Sequence, residues 1–228
     1  MRGDRIRGPL SESRALEALR ELHHVNVNFD VESGEELTTQ NGWQIDNRCI
    51  VLPQEPPGPP TPGGPWETAR QVLTNYEFAD PSIVRAFYDP DDPLRGRTML
   101  LEGRFYWMRF LLGVRVAEVT DEIRTVDGRS IRVWGWGYRT LQGHLEVGQM
   151  DYEIHKRLDS GDVEFHIHAF SKAAPISNPV VRLGFRLFGR HMQNKFARHA
   201  LARMNQLVRS ARSAPAAKQC ELRPHHER

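Results

Sequence analysis

The sequence predicts an α+β fold in which one antiparallel sheet is closed by a long C-terminal helix. Three observations carry this. Between residues 98 and 171, runs rich in β-branched and aromatic residues follow one another with the composition of strands. Turn signals separate them at Asp127-Gly128 and at Asp159-Ser160-Gly161, as in a meander. Beyond Pro179, the residues Val181, Phe185, Phe188, Met192, Phe196, Ala200 and Met204 recur every three or four positions, which makes one face of a helix.

From the N-terminus, residues 11–24 predict a short amphipathic helix with Leu16, Leu19 and Leu22 on its apolar side. The run PQEPPGPPTPGGP at 53–65 continues neither helix nor ladder, because proline lacks the amide donor, so it reads as a linker or surface wrap. Residues 66–78 predict a helix with Ala69, Val72, Leu73 and Tyr76 on one side. Asp80-Pro81 has the form of a helix start and predicts a second short helix over 82–88. The DPDDP run at 89–93 reads as turn chemistry, too short for the spaced ligands of a calcium loop.

Strands are expected at 98–110, broken near Gly103, and at 114–124, 130–140, 148–157 and 163–171. Asn178 and Pro179 fit the start of the last helix, and Gly184 and Gly189 predict a break, with the well-formed part beginning near Arg190. The division that results is an N-terminal extension at 1–52, a linker at 53–65, the domain at 66–212 and a disordered tail at 213–228.

With 228 residues and 39% hydrophobic content, the chain can bury one full core. A net charge of +2 excludes a strong overall field for nucleic acid. Cys49 and Cys220 suggest no disulfide framework, and with no apolar signal core and no long apolar run the chain reads as cytoplasmic.

The chemistry concentrates in GWGYRTLQGHLEVGQMDYEI, residues 135–154. Arg139, Thr140, His144 and Glu146 stand there among Trp134, Trp136, Tyr138 and Tyr152, the polar and aromatic mixture of a small-molecule pocket. His144 and Glu146 form the candidate general acid and base, since histidine titrates near neutrality and a carboxylate can orient it. In the strand at 130–140, alternation puts Trp134, Trp136 and Tyr138 on one face and Gly135 and Gly137 on the other, where they leave room for a close neighbour or a cavity. His166 and His168 share a strand face and join the candidate lining; with no third histidine nearby in sequence, no metal is expected. Every charged residue from Lys172 to Lys218 is basic, with Arg182, Arg186 and Arg190 in one row, a surface suited to an anionic membrane.

The segments GYRTLQGHLEVGQMDYEI, EFHIHAFSKAA and NPVVRLGFRLFGRHMQNKFARHAL resemble a bacterial family of unknown function, the domain-of-unknown-function family nineteen-ninety, which also occurs in plants. The likeness runs over roughly residues 65–208. That family is similar to the START and SRPBCC superfamily, and the resemblance implies a helix-grip fold with a cavity between sheet and terminal helix. Superfamily members include lipid carriers, receptors, aromatases and cyclases, so fold alone selects no function. The expectation is a binding protein for a small apolar or lipid-like ligand, without a cofactor. The alternatives are a cofactor-independent cyclase, dehydratase or isomerase, and peripheral attachment to an anionic membrane; nucleic acid ranks last.

Overall fold

Alternating side chains make each strand two-faced, and the sheet buries one of those faces against a helix. In the computed structural model the described residues are 5–6, 9–28, 36–105, 108–175 and 179–213. The sheet runs in the order β2 (Gln44–Val51), β8 (Val163–Ala173), β7 (Glu146–Arg157), β6 (Arg129–Thr140), β5 (Met108–Val126), β4 (Thr98–Phe105) and β3 (Val84–Phe87), with β1 (Arg5–Ile6) added to β5. All pairs are antiparallel. The long α3 (Pro179–Ser213) and α2 (Pro65–Thr74) cover the concave face, so the architecture is a helix grip.

The main core lies between that face and the two helices. Trp136, Tyr152, Ile154, Phe165, Phe78, Leu73, Ala200, Met204 and Val208 are all at most 2% exposed. A second, smaller core forms on the convex side, where α1 (Glu12–Leu22) lays Ala15, Ala18, Leu19 and Leu22 on Leu100, Leu111 and Leu141. Leu16, expected on the buried side of α1, is 49% exposed, because the buried stripe runs through the alanines instead.

Several expectations change. Residues 84–87 form β3 rather than the second short helix: Asp80 does cap a turn, accepting from Ser82 N at 2.8 Å, but the branched and aromatic residues after it pair with β4. β4 and β5 pair antiparallel from Thr98↔Arg115 to Phe105↔Met108, and Gly103 does not break a strand but pairs with Phe110. α3 runs unbroken from Pro179 through Gly184 and Gly189. Asn178, Cys220 and the tail after Ser213 lie outside the described residues.

β2 lies within the expected N-terminal extension yet forms the edge of the sheet, paired with β8 from Gln44↔Ser171 to Val51↔Glu164. The proline-rich segment is anchored as well. Glu55 turns inward, accepting from Trp66 N at 2.7 Å and Thr61 N at 2.9 Å, and Lys156 Nζ donates to it at 2.6 Å. The Lys156 side chain is wholly buried and that of Glu55 is 1% exposed, so the pair is an ion pair inside the protein. Its remaining donor capacity goes to the Pro59 carbonyl at 2.8 Å.

Removing one partner of such a pair strands the other charge. Lys156→Met is expected to lower the unfolding free energy by about 3–5 kcal/mol, and adding Glu55→Gln to recover most of that loss. Urea unfolding of the two variants checks this, and equal losses from the single and the double variant would contradict it.

Candidate functional site

Strand parity builds the site. From Glu146, every second residue of β7 faces the helix: Gly148, Met150, Tyr152, Ile154 and Lys156. Tyr152, Ile154 and Lys156 are fully buried, whereas Met150 is only partly so. The concave row is therefore sealed from Tyr152 to Lys156 and looser at Met150. Trp134, Trp136, Tyr138 and Thr140 of β6 face the same way, as do Phe165, Ile167 and Ser171 of β8.

At the sealed end the predicted aromatic residues are core. Trp136 donates Nε1–H to the Leu73 carbonyl at 3.2 Å, and Trp134 lies under the Arg70 guanidinium at 5.1 Å. Toward the looser end, tyrosine hydroxyls gather around Met150. Tyr152 Oη is 2.9 Å from Met150 Sδ and 3.5 Å from Tyr138 Oη. The ring of Tyr76 packs on Trp136 and Tyr152, with centroids at 6.0 and 6.5 Å. Tyr76 follows the C-cap of α2 in the left-handed region, at φ 58°, where glycine usually stands, and its buried hydroxyl has no hydrogen-bond partner among the described residues. Burial pushes the Tyr138 hydroxyl up to about 12 and raises those of Tyr76 and Tyr152, so all three are neutral donors. Tyr76 also lines a surface groove of about 510 Å³ with Leu16, Ala79, Tyr88 and Arg203.

The polar end is held by Thr140, His144 and Glu146, though not as a proton-exchanging pair. His144 Nδ1 accepts from the Glu146 backbone N–H at 2.9 Å, so its ring closes the turn at Gly143. The Glu146 carboxylate points elsewhere, accepting from Ser171 Oγ at 3.3 Å and from Gln193 Nε2 of α3. No ion pair to it occurs among the described residues. Burial pushes Glu146 up to about 7 and His144 down to about 4. The Oε1 atom of Gln193 is buried beside it with no hydrogen-bond partner among the described residues. Thr140 Oγ1 accepts from Gly148 N at 2.9 Å and lies 2.6 Å from Asn28 Oδ1, and Asn28 Nδ2 donates to the Glu146 carbonyl at 2.8 Å.

The other candidates lie on the convex face, because they have the opposite parity. Arg139 bonds Gln149 at 3.0 Å and Glu118 at 3.1 Å rather than Glu146. His168 is 3.4 Å from Asp151, and His166 is 2.9 Å from Glu164. None of the three lines the concave side. Gly135 and Gly137 also face outward, and the space they leave is filled by β7: a methyl group there would strike the Tyr152 carbonyl or the Asp151 side chain. On α3, Arg190 pairs with Asp46 and Arg203 donates to the Glu77 carbonyl at 2.7 Å, so two basic residues of that helix bond within the domain. The side chains of Arg182 and Arg186 lie outside the described residues.

A profile of the domain of unknown function DUF1990 matches residues 30–203. The chain belongs to the DUF1990 family. Its β2 thus falls within the family segment. The UPF0548 protein At2g17695 of Arabidopsis thaliana is 28% identical to this DUF1990 chain over 143 residues, covering 60% of it and 67% of the plant protein. Among solved structures, a Thalictrum norcoclaurine synthase point mutant is similar at a TM-score of 0.48 and 7% identity, covering 75% of this chain and 96% of its own. Human STARD10 is similar at a TM-score of 0.40 and 13% identity, covering 90% and 82%. No helix among the described residues of the DUF1990 chain is long and apolar enough to cross a membrane.

The residues of the site that the sequence left unmarked are Asn28, Tyr76, Met150 and Gln193. Gln193 was visible only as a polar break beside the apolar stripe of α3, next to Met192.

Two opposed titrations follow for this DUF1990 domain. Glu146 rises from 4.5 to about 7 on folding, so its stabilisation is complete below pH 4.5 and lost as pH rises to 7. His144 falls from 6.5 to about 4, so its contribution is present above pH 6.5 and lost as pH falls. Glu146→Gln removes only the first. Relative to wild type, the variant should gain roughly 2–3 kcal/mol between pH 4.5 and pH 7.5, measured by urea unfolding at both ends. A difference that does not change with pH would contradict the raised carboxylate.

Proposed function

We propose that this domain binds a small molecule with an apolar body and one hydrogen-bonding head, between the concave face and the first half of α3. The observation that carries the reading is the buried Glu146 carboxylate held by Gln193 Nε2, whose Oε1 has no hydrogen-bond partner among the described residues. A buried acceptor without a donor costs about 1–3 kcal/mol, and a ligand hydroxyl or amine placed there would recover it. The apolar body would lie along Met150, the partly buried position of the row, beside Tyr138 and Tyr152. Tyrosine hydroxyls and the methionine sulfur offer weak, adaptable contacts to an aromatic or polyene body.

A second reading rests on the same carboxylate. A group near pH 7 is matched to general acid or base work, so Glu146 alone could move a proton on a bound substrate, as a cofactor-independent isomerase or dehydratase requires. His144 takes no part, since its ring is committed to the turn.

The fluorescent probe 1-anilinonaphthalene-8-sulfonate tests the binding reading. Wild-type protein should bind it in the micromolar range, and Met150→Trp, which fills the looser part of the row, should weaken binding at least tenfold while keeping the wild-type melting temperature within about 3 °C. Equal binding by both proteins would overturn the proposed location. Absence both of probe binding and of any co-purified molecule in native mass spectrometry would overturn the function.

A further inference from the structure

On the convex face, away from the cleft, β7 and β8 bring two histidines and two glutamates into a square. The register sets His155 opposite Glu164 and Glu153 opposite His166, so the histidines occupy one diagonal and the glutamates the other. The two imidazoles stack at 4.1 Å with 24° between their planes. Donor atoms of His155, Glu164 and His166 all lie within 4.8 Å of one another, and all three side chains are partly buried. His166 Nε2 and Glu164 Oε2 are already 2.9 Å apart.

We infer that His155, Glu164 and His166 form a binding site for a divalent first-row transition ion, of which zinc fits best. Two imidazoles and one carboxylate are a donor set that zinc takes with a fourth position left to water. Ligands of a tetrahedral zinc at about 2.0–2.1 Å stand roughly 3.4 Å from one another, so small rotations of His155 and Glu164 close the set. Two neighbouring strands supply all three donors, which limits how far the backbone has to move.

The surroundings fit the same purpose. Glu153 holds His155 Nε2 at 2.7 Å and is itself clamped by Arg124 through contacts of 3.2 and 3.3 Å. A carboxylate that fixes a ligand histidine, and is fixed in turn, is the usual outer arrangement of a histidine metal site. Cys49, the register partner of His166 on β2, stands outside the group of mutually close donors, so the site does not depend on it.

Isothermal titration of the full chain with zinc chloride tests the proposal. One ion per chain is expected, with a melting temperature raised by about 5 °C at a hundredfold excess over the dissociation constant. His155→Ala and His166→Ala should each weaken that binding at least a hundredfold, and Glu153→Gln about ten- to a hundredfold. His168→Ala, Cys49→Ser and the double variant His225→Ala/His226→Ala should leave it unchanged. If the His155 and His166 variants bind zinc like the wild type while the tail variant loses it, or if no variant changes the titration, the square is a set of ion pairs and the proposal fails. Circular dichroism without zinc, unchanged in each variant, separates loss of ligands from loss of fold.

Discussion

The sheet must bend far enough to hold a helix, and the rest of the structure depends on that bend. Seven strands on one path bring β2 and β3 to opposite edges, and both edges meet the helical layer. Tight coiling brings adjacent strands close at particular points, and there a side chain is excluded. Gly135 and Gly137 are such points, since any β-carbon would run into β7. The register shift between Val116 and Glu118 adds local twist on the other side of β6. Of the two expectations for these glycines, a close neighbour or a cavity, the structure shows the close neighbour, which is β7.

Bending also separates two chemistries by parity. Residues of one parity on β7, from Glu146 to Lys156, enter a desolvated layer in which each polar group needs a specific partner. Lys156 has two acceptors, whereas the Gln193 carbonyl oxygen has no partner among the described residues. Residues of the other parity, Asp151, Glu153 and His155, reach the outer face, where Asp151 pairs with His168 and Glu153 with both Arg124 and His155. The difference appears in the carboxylates: burial pushes Glu146 up to about 7, while the His155 ring and Arg124 hold Glu153 down at about 2. One strand therefore supplies a protonatable acid to the inside and a permanent anion to the outside.

Much of this was legible in the chain. Period-2 runs and Asp-Gly turns located β6, β7 and β8, and the apolar repeat located α3, because these elements bury whole faces and their patterns are strong. β2 was not legible: an edge strand buries few side chains, and Asp46, Asn47 and Arg48 mask the alternation. β3 was missed because Asp80-Pro81 opens a turn with the residues that open a helix. At the candidate site, Glu146 could be singled out from the sequence, but the residue that bonds it could not. His144 is two residues away in sequence and bonds only the backbone, whereas Gln193 and Asn28 come from 47 and 118 residues away. Likewise His155 and His166 share no sequence spacing, and only the β7 and β8 register makes them neighbours.

Glu146 and α3 are bound to each other energetically. Arg190, Gln193 and Asn194 lie within about one helical turn and bond to Asp46, Glu146 and Arg48, so this turn fastens the helix to two strands, β2 and β7. The helix before it carries Gly184 and Gly189, which lower its intrinsic helix propensity. Gln193 both holds the carboxylate and helps to exclude water from it. Any movement that lifts this turn rehydrates Glu146 and returns its pKa toward the ordinary value, and ionising Glu146 must favour that movement by the same free energy. The hydration of Glu146 and the contact between its strand and this turn of α3 are thus thermodynamically linked.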